Sequence, residues 1–300
     1  VGVYMGDDSR FEHLYKFVSS KPYQPGNRAA NRDLLDHGTL YVARFESDGL
    51  LRWLPLIHGQ GPLDASHGFE SQADVLIEVR RAADLVGATP MDRPEDVEEN
   101  PVTGRVYVAL TNNTKRGENE VDAANPRPGN AHGHVIELIM PEQDGRVDHA
   151  AELCRWGIFL MGGDPRSMDA KGQYNPAVSS DGWLSCPDNV AFDPQGRLWI
   201  STDGASKADG AGFADGLFAC ETAGPGRALT REFFVAPIGA EVCGPCFTPD
   251  GKTLFVAVQH PAEGTTLANP STLWPDFQPG SPPRPAVIAI TRQDHQPVGK

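Results

Sequence analysis

The chain has 300 residues, 39% hydrophobic and 22% charged, with Gly 32 and Pro 26. That is enough apolar material for a sizeable core in one large all-β domain or two average ones, and the glycine and proline suit a chain that turns often. The net charge of −14 argues against a nucleic-acid or anionic-membrane partner, and sets a problem for a phosphate substrate that bound cations would solve by inverting the local field.

The chain opens on Val3-Tyr4-Met5-Gly6, an aliphatic, aromatic, aliphatic, small run. The same signature returns as Leu40-Tyr41-Val42-Ala43, Val106-Tyr107-Val108-Ala109, Leu198-Trp199-Ile200-Ser201 and Leu254-Phe255-Val256-Ala257. Packing residues on both faces suit strands sandwiched between neighbouring sheets. In the later copies a polar lead-in strand and a Pro/Gly turn precede the signature, and before Val3 there is no room for them. The chain is therefore expected to begin inside a unit that has lost its first strand. Residues 71–87 read as a helix: Val75, Val79, Ala82, Ala83 and Val86 share a face, Ser71 caps with Asp74 and Gly87 ends it. It reads as an insertion between sheets, a lid or packing helix.

The second unit takes the lead-in Asp92-Arg93-Pro94-Glu95, the turn Pro101-Val102-Thr103-Gly104 and strands near 105–110, 133–139 and 150–161. The third runs through Cys186-Pro187-Asp188-Asn189, Pro194-Gln195-Gly196 and strands to residue 235. The fourth starts at Glu241, turns at Pro249-Asp250-Gly251 and ends near 291. Insertions fall at about 58–90, 114–130, 162–185 and 261–285. Four-stranded units repeating at roughly 45–50 residues plus insertions mark a β-propeller. About four blades are visible in a single domain spanning 1–300, the first incomplete, and a six-bladed parent is inferred.

Arg93 and Glu95 flank a proline, so their backbone is expected to be extended with both side chains on one side of the strand. A guanidinium is suited to a tetrahedral oxyanion, and a carboxylate beside it to a hard cation. The same two residues would also make a surface ion pair. Asp188 is six residues before Pro194, as Glu95 is before Pro101, so two oxygen ligands on one rung of different blades would converge on the axis. Glu241 sits between Ala240 and Val242, a costly place for an unpaired carboxylate, and is expected to be buried with a cation or basic partner. Asp7/Asp8, Asn112/Asn113, Asp203 and Gln259/His260 follow signature strands and rank lower, because strand-end polar residues mostly make turns. His132-x-His134 is read as a partly exposed strand edge rather than a metal pair. The five cysteines form no disulfide framework, and Cys243-x-x-Cys246 is read as packed thiols. No apolar run reaches the roughly 18 residues of a membrane span, and no leader precedes Val1, so any export signal is expected to be missing from this chain.

Several stretches resemble the PhoX-type alkaline phosphatases. They include residues 3–12, Asn31-Arg32-Asp33-Leu34-Leu35-Asp36, Met91 to Glu95, Leu110-Thr111-Asn112-Asn113, Val121-Asp122-Ala123-Ala124-Asn125-Pro126, Pro187-Asp188-Asn189, Gly239-Ala240-Glu241-Val242-Cys243-Gly244 and Gln259-His260-Pro261. The resemblance covers nearly the whole chain but only the later portion of such proteins. It implies a six-bladed propeller exported to the periplasm by the twin-arginine route. It also implies phosphomonoester hydrolysis on a cluster of iron and calcium ions (Fe3+ and Ca2+). By that resemblance Arg93 contacts phosphate, and Glu95, Asp188 and Glu241 are metal ligands. The family's iron-ligating cysteine lies upstream of Val1, so this chain is expected to be weak or inactive alone. The rival readings are a calcium-dependent propeller esterase or lactonase of the paraoxonase or gluconolactonase kind, which the 187–199 stretch suits equally, and a non-catalytic binding platform.

Overall fold

The computed structural model describes residues 1–204 and 214–299. Four antiparallel meanders make up the described chain. The first is β1 (Gly2–Gly6), β2 (Leu14–Ser19), β3 (Gly38–Phe45) and β4 (Leu50–Pro55). Two short helices follow, α1 (Gln72–Ile77) and α2 (Val79–Val86). The second is β5 (Pro94–Glu99), β6 (Val106–Leu110), β7 (His134–Ile139) and, after the small hairpin β8 (Glu142–Gln143) and β9 (Arg146–Val147), β10 (Leu153–Met161). The third is β11 (Pro187–Phe192), β12 (Leu198–Thr202), β13 (Gly216–Cys220) and β14 (Thr230–Val235). The last is β15 (Glu241–Phe247), β16 (Thr253–Gln259) and β17 (Ala286–Thr291).

Each meander pairs consecutive strands, the arrangement of a propeller-like fold. The outer strands β4 and β10 also pair, from Leu153 opposite Arg52 to Arg155 opposite Leu50, and merge the first two meanders into an eight-stranded sheet. That sheet curls until its ends meet, with Arg10 bridging Asp92. The approach at the seam requires a glycine: a Cβ on Gly6 would lie 2.2 Å from the Pro94 carbonyl oxygen. The first meander thus holds four strands. Val3 to Gly6 lies in its leading strand.

Core packing follows the signature. Every residue of β6 and of β12 is buried, because each lies between two neighbouring sheets. The outer meanders keep an open face, where Met5 is 38% and Val287 73% exposed. The helix expected over 71–87 is broken at Glu78, whose φ of −96° and ψ of 39° leave the helical region. Its two halves still turn Val75, Val79, Ala82, Ala83 and Val86 toward Leu56, Leu63 and Phe69, so the apolar face is as read from spacing. Ser71 caps α1 through the Asp74 amide, and Gly87 closes α2 at φ 78°.

Candidate functional site

Three leading strands carry the same irregularity. On β5, Pro94 faces Leu110 but Val97 faces Val108, and on β11, Pro187 faces Thr202 but Val190 faces Ile200. On β15, Cys243 faces Ala257 and Cys246 faces Phe255. In each, three steps along the leading strand match two on its partner. Such a bulge bends the strand and re-aims the side chains inside it. Those side chains are Glu95 and Asp96, then Asp188 and Asn189, then Gly244 and Pro245.

Against the expectation of an extended backbone, the residues ahead of the first two prolines are left-handed. Arg93 has φ 58° and Cys186 has φ 55°. A residue before proline is normally pushed to the β region, and a non-glycine side chain in the left-handed region is strained. The following strand holds both in place: Thr111 N–H donates to the Arg93 carbonyl at 3.1 Å and Asp203 N–H to the Cys186 carbonyl at 3.1 Å. Arg93 and Glu95 consequently reach different partners and do not pair with each other.

Arg93 donates through Nε and Nη2 to both carboxylate oxygens of Asp8, at 2.9 and 3.0 Å, while Asp203 lies 3.8 Å away. Asn189 donates to Glu95 at 2.8 Å and accepts from the Gly244 amide at 2.8 Å, and the Asp96 carboxylate accepts from the Val190 amide at 2.9 Å. The three bulges are thus laced together side by side. Glu241, buried at the start of β15, accepts from Gln259 at 2.9 Å and lies 2.9 Å from His260 Nε2. Asp188 accepts from the Thr111 hydroxyl at 3.4 Å.

The electrostatics place these groups in one field. Burial, then the charges of Glu95, Asp203, Glu241 and Asp8, push the Asp188 carboxyl up to about 9. Burial raises Glu95 to about 7, against the Asn189 hydrogen bond. Glu241 is raised by burial and by Asp203, against His260 and Gln259. Burial works against the charge of Arg93, yet its pKa is raised by the Asp8 hydrogen bond and the charges of Asp8, Asp203 and Asp188. Asp188 thus feels the charges of Glu95, Asp203, Glu241 and Asp8, and Arg93 those of Asp8, Asp203 and Asp188. The sequence ranked Asp8 and Asp203 lower because a strand-end acid ordinarily makes a turn. Their spacing, directly after β1 and β12, is the signal that could have found them.

Hard oxygen donors crowded together and partly starved of positive charge suit a hard cation in chemical type. They do not enclose one: among the described residues no three His, Cys, Asp or Glu side chains come close enough to hold a metal ion. His132 and His134 are buried, not at an exposed edge. His132 Nδ1 meets Ser185 at 2.9 Å and His134 Nε2 the Ala124 carbonyl at 2.7 Å, and burial lowers His134 to about 4. The loops bracketing them account for this, since Arg127 donates to the Gly162 and Ala170 carbonyls and draws both loops across. The β15 bulge likewise turns Cys246 out to solvent and leaves Cys243 half-buried, so these are not packed thiols. An apolar cavity of about 600 Å³ between α1 and β1–β3, lined by Met5, Phe17, Leu40 and Leu76, contains none of the site residues.

Fold and site together define a propeller-like β protein whose bulged leading strands carry acidic side chains, Asp188 and Glu241 buried and Glu95 half-buried, with Arg93 at the head of one of them. The chain belongs to the alkaline phosphatase PhoX family, whose pattern matches residues 1–262. It is 42% identical to PhoX of Pseudomonas fluorescens, solved with vanadate, a transition state analogue, with a TM-score of 0.87 over 99% of this chain. It spans about half of that structure, 52%. A gluconolactonase from Xanthomonas campestris is 13% identical over 83% of this chain and 51% of its own, with a TM-score of 0.29, too low to bear on fold or function. No match was found among curated proteins.

Proposed function

We propose that the chain forms part of a metal-dependent phosphatase that hydrolyses phosphomonoesters. Arg93 would meet the phosphate, and Glu95, Asp188 and Glu241 would serve as oxygen ligands in a centre of calcium and iron, calcium being the ion these carboxylates suit and the iron being held mainly by other residues. Membership of the PhoX family supports the reaction class, and the vanadate bound by the 42%-identical relative supports a phosphoryl centre. A six-bladed parent fold, and twin-arginine export to the periplasm, belong to the same proposal. No helix among the described residues is long and apolar enough to cross a membrane.

The observation that carries the proposal is Arg93 fixed at a bulged strand head amid carboxylates. Asp8 takes Nε and Nη2, which leaves Nη1 to donate to a phosphoryl oxygen and fixes the plane of the guanidinium. Asn189 holds the Glu95 carboxylate, and Gln259 and His260 hold that of Glu241. Bound cations would neutralise these carboxylates and withdraw charge from the phosphoryl oxygens. The carboxylates alone would repel a phosphate ester, so Arg93 works with them only when they are neutralised.

In the whole protein that carries this chain, Arg93→Ala should lower kcat/KM for p-nitrophenyl phosphate by about 10²–10³, the scale of one lost transition-state donor, with metal content unchanged. Unaltered kinetics would end the assignment. No observation favours the lactonase or binding-platform readings.

A further inference from the structure

Behind Arg93 lies a buried ion pair with no counterpart in the expectations drawn from sequence. Arg116, from the loop after β6, donates through Nε to Asp92 at 2.6 Å, and both side chains are almost wholly buried. Its other two nitrogens donate to the Glu120 carbonyl at 2.6 Å and the Pro90 carbonyl at 2.8 Å. Asn130 occupies the second oxygen of Asp92 at 2.8 Å. The guanidinium also lies over the Phe11 ring, 5.0 Å from its centre. Arg116 therefore touches both segments that form the seam. Their backbones are stitched by Phe11 N–H to the Met91 carbonyl at 2.8 Å and Met91 N–H to the Glu12 carbonyl at 2.9 Å. The Arg93–Asp8 pair joins the same two segments, three residues from Phe11 on one side and next to Asp92 on the other.

We infer that Arg116 is a positioning residue for Arg93. By gripping Asp92 and Phe11 at once, it fixes the distance between the segments bearing Arg93 and Asp8, and with it the direction in which Nη1 points. A left-handed, pre-proline arginine has little conformational preference of its own for that place, so neighbouring contacts must impose it. A lysine at 116 keeps the charge but has no fork, and cannot hold Asp92, Pro90 and Glu120 together. The inference rests on the reading that Arg93 meets phosphate.

The test is a double-mutant cycle in the whole protein, read as inhibition by inorganic phosphate, with KM and kcat for p-nitrophenyl phosphate, metal content and Tm measured alongside. Arg116→Lys should weaken phosphate about tenfold and raise KM more than it lowers kcat. In the Arg93→Ala background the same substitution should change phosphate affinity less than about twofold, because the residue it acts through is gone. Losses that multiply in the double variant, or a fall in Tm with unchanged phosphate affinity, would overturn the inference and leave a purely structural ion pair. If Arg93→Ala alone leaves phosphate inhibition untouched, the reading of Arg93 fails, and the inference falls with it. Arg116→Met is the harsher variant; should it not fold, the lysine cycle decides.

Discussion

At the head of β5, Arg93 sits at φ 58° before a proline; at the head of β11, Cys186 sits at φ 55° before another. Both are followed by the same bulge, and both carbonyls accept from the residue just after the neighbouring strand. The residue ahead of each is buried and anchored from a loop, Asp92 by Arg116 and Asn130, and Ser185 by His132. What differs is the cargo. Arg93 pairs with Asp8 through both Nε and Nη2, whereas the Cys186 thiol is buried beside Asn112 and the Ala131 carbonyl. The same left-handed backbone thus recurs at both heads, and the bulge after it carries Glu95 and Asp96 in one strand, Asp188 and Asn189 in the other.

The largest expected effect lies in the second cargo. Asp188 ionises near 3.8 ordinarily, but burial and four neighbouring carboxylates push it up to about 9 in the folded chain. Folding then requires proton uptake, so in chelator-treated protein stability should fall as pH rises from about 4 to 9. At pH 7 the cost is up to about 4 kcal/mol. Asp188→Asn should raise the Tm of the chelated protein at pH 7 and flatten that slope, and calcium should flatten it in the unaltered chain. A chelated chain whose stability is level across this window would show that the β11 bulge does not crowd its carboxylate as described. A buried lysine away from the site should give the opposite slope. Lys16, fully buried, donates to the Ala151 carbonyl at 2.7 Å and lies 4.7 Å from the centre of the Trp53 ring, and burial lowers its pKa to about 8. Its charge opposes folding below pH 8, by about 3 kcal/mol, and that penalty lifts as pH rises from about 8 to 10.5. Lys16→Met should raise Tm at pH 7 and remove the alkaline rise. Without that difference, the crowding of carboxylates around Asp188 could not be separated from a general response to pH.

The repeat was legible in the sequence because doubly buried strands have no polar face, and Val106-Tyr107-Val108-Ala109 and Leu198-Trp199-Ile200-Ser201 say so directly. The bulges were not, since an extra residue between Pro94 and Val97 leaves the apolar positions beyond it in step. Pro94 and Pro187 even pointed the wrong way: they predict an extended neighbour, and tertiary contacts override that preference at Arg93 and Cys186. Arg93, Glu95, Asp188 and Glu241 stood out as candidates by side-chain chemistry, and Glu95 and Asp188 also by their shared six-residue offset from a turn proline. Asp8 did not, because its pairing with Arg93 spans 85 residues and depends on a sheet curling back to its own first strand. His132 and His134 were misjudged for a related reason, as a strand edge is exposed only if no loop lies over it.

The smallest effect tests the shared backbone without touching chemistry. An alanine at a left-handed position costs roughly 1 kcal/mol relative to glycine, the reverse of the usual order within a strand. Replacing Cys186 by alanine or by glycine removes the same thiol and the same interactions with Asn112 and Ala131. The two variants therefore differ mainly in how well each tolerates φ 55°. Arg93→Ala and Arg93→Gly form the matching pair on β5, since each removes the same hydrogen bonds to Asp8. In urea unfolding, glycine should be more stable than alanine by about 1 kcal/mol at each position, and by similar amounts at both. A glycine advantage at Arg93 alone would make the strain a local device for aiming the arginine. Equal advantages would assign it to the repeating architecture, and alanine ahead of glycine at either head would mean the two strands do not share that backbone.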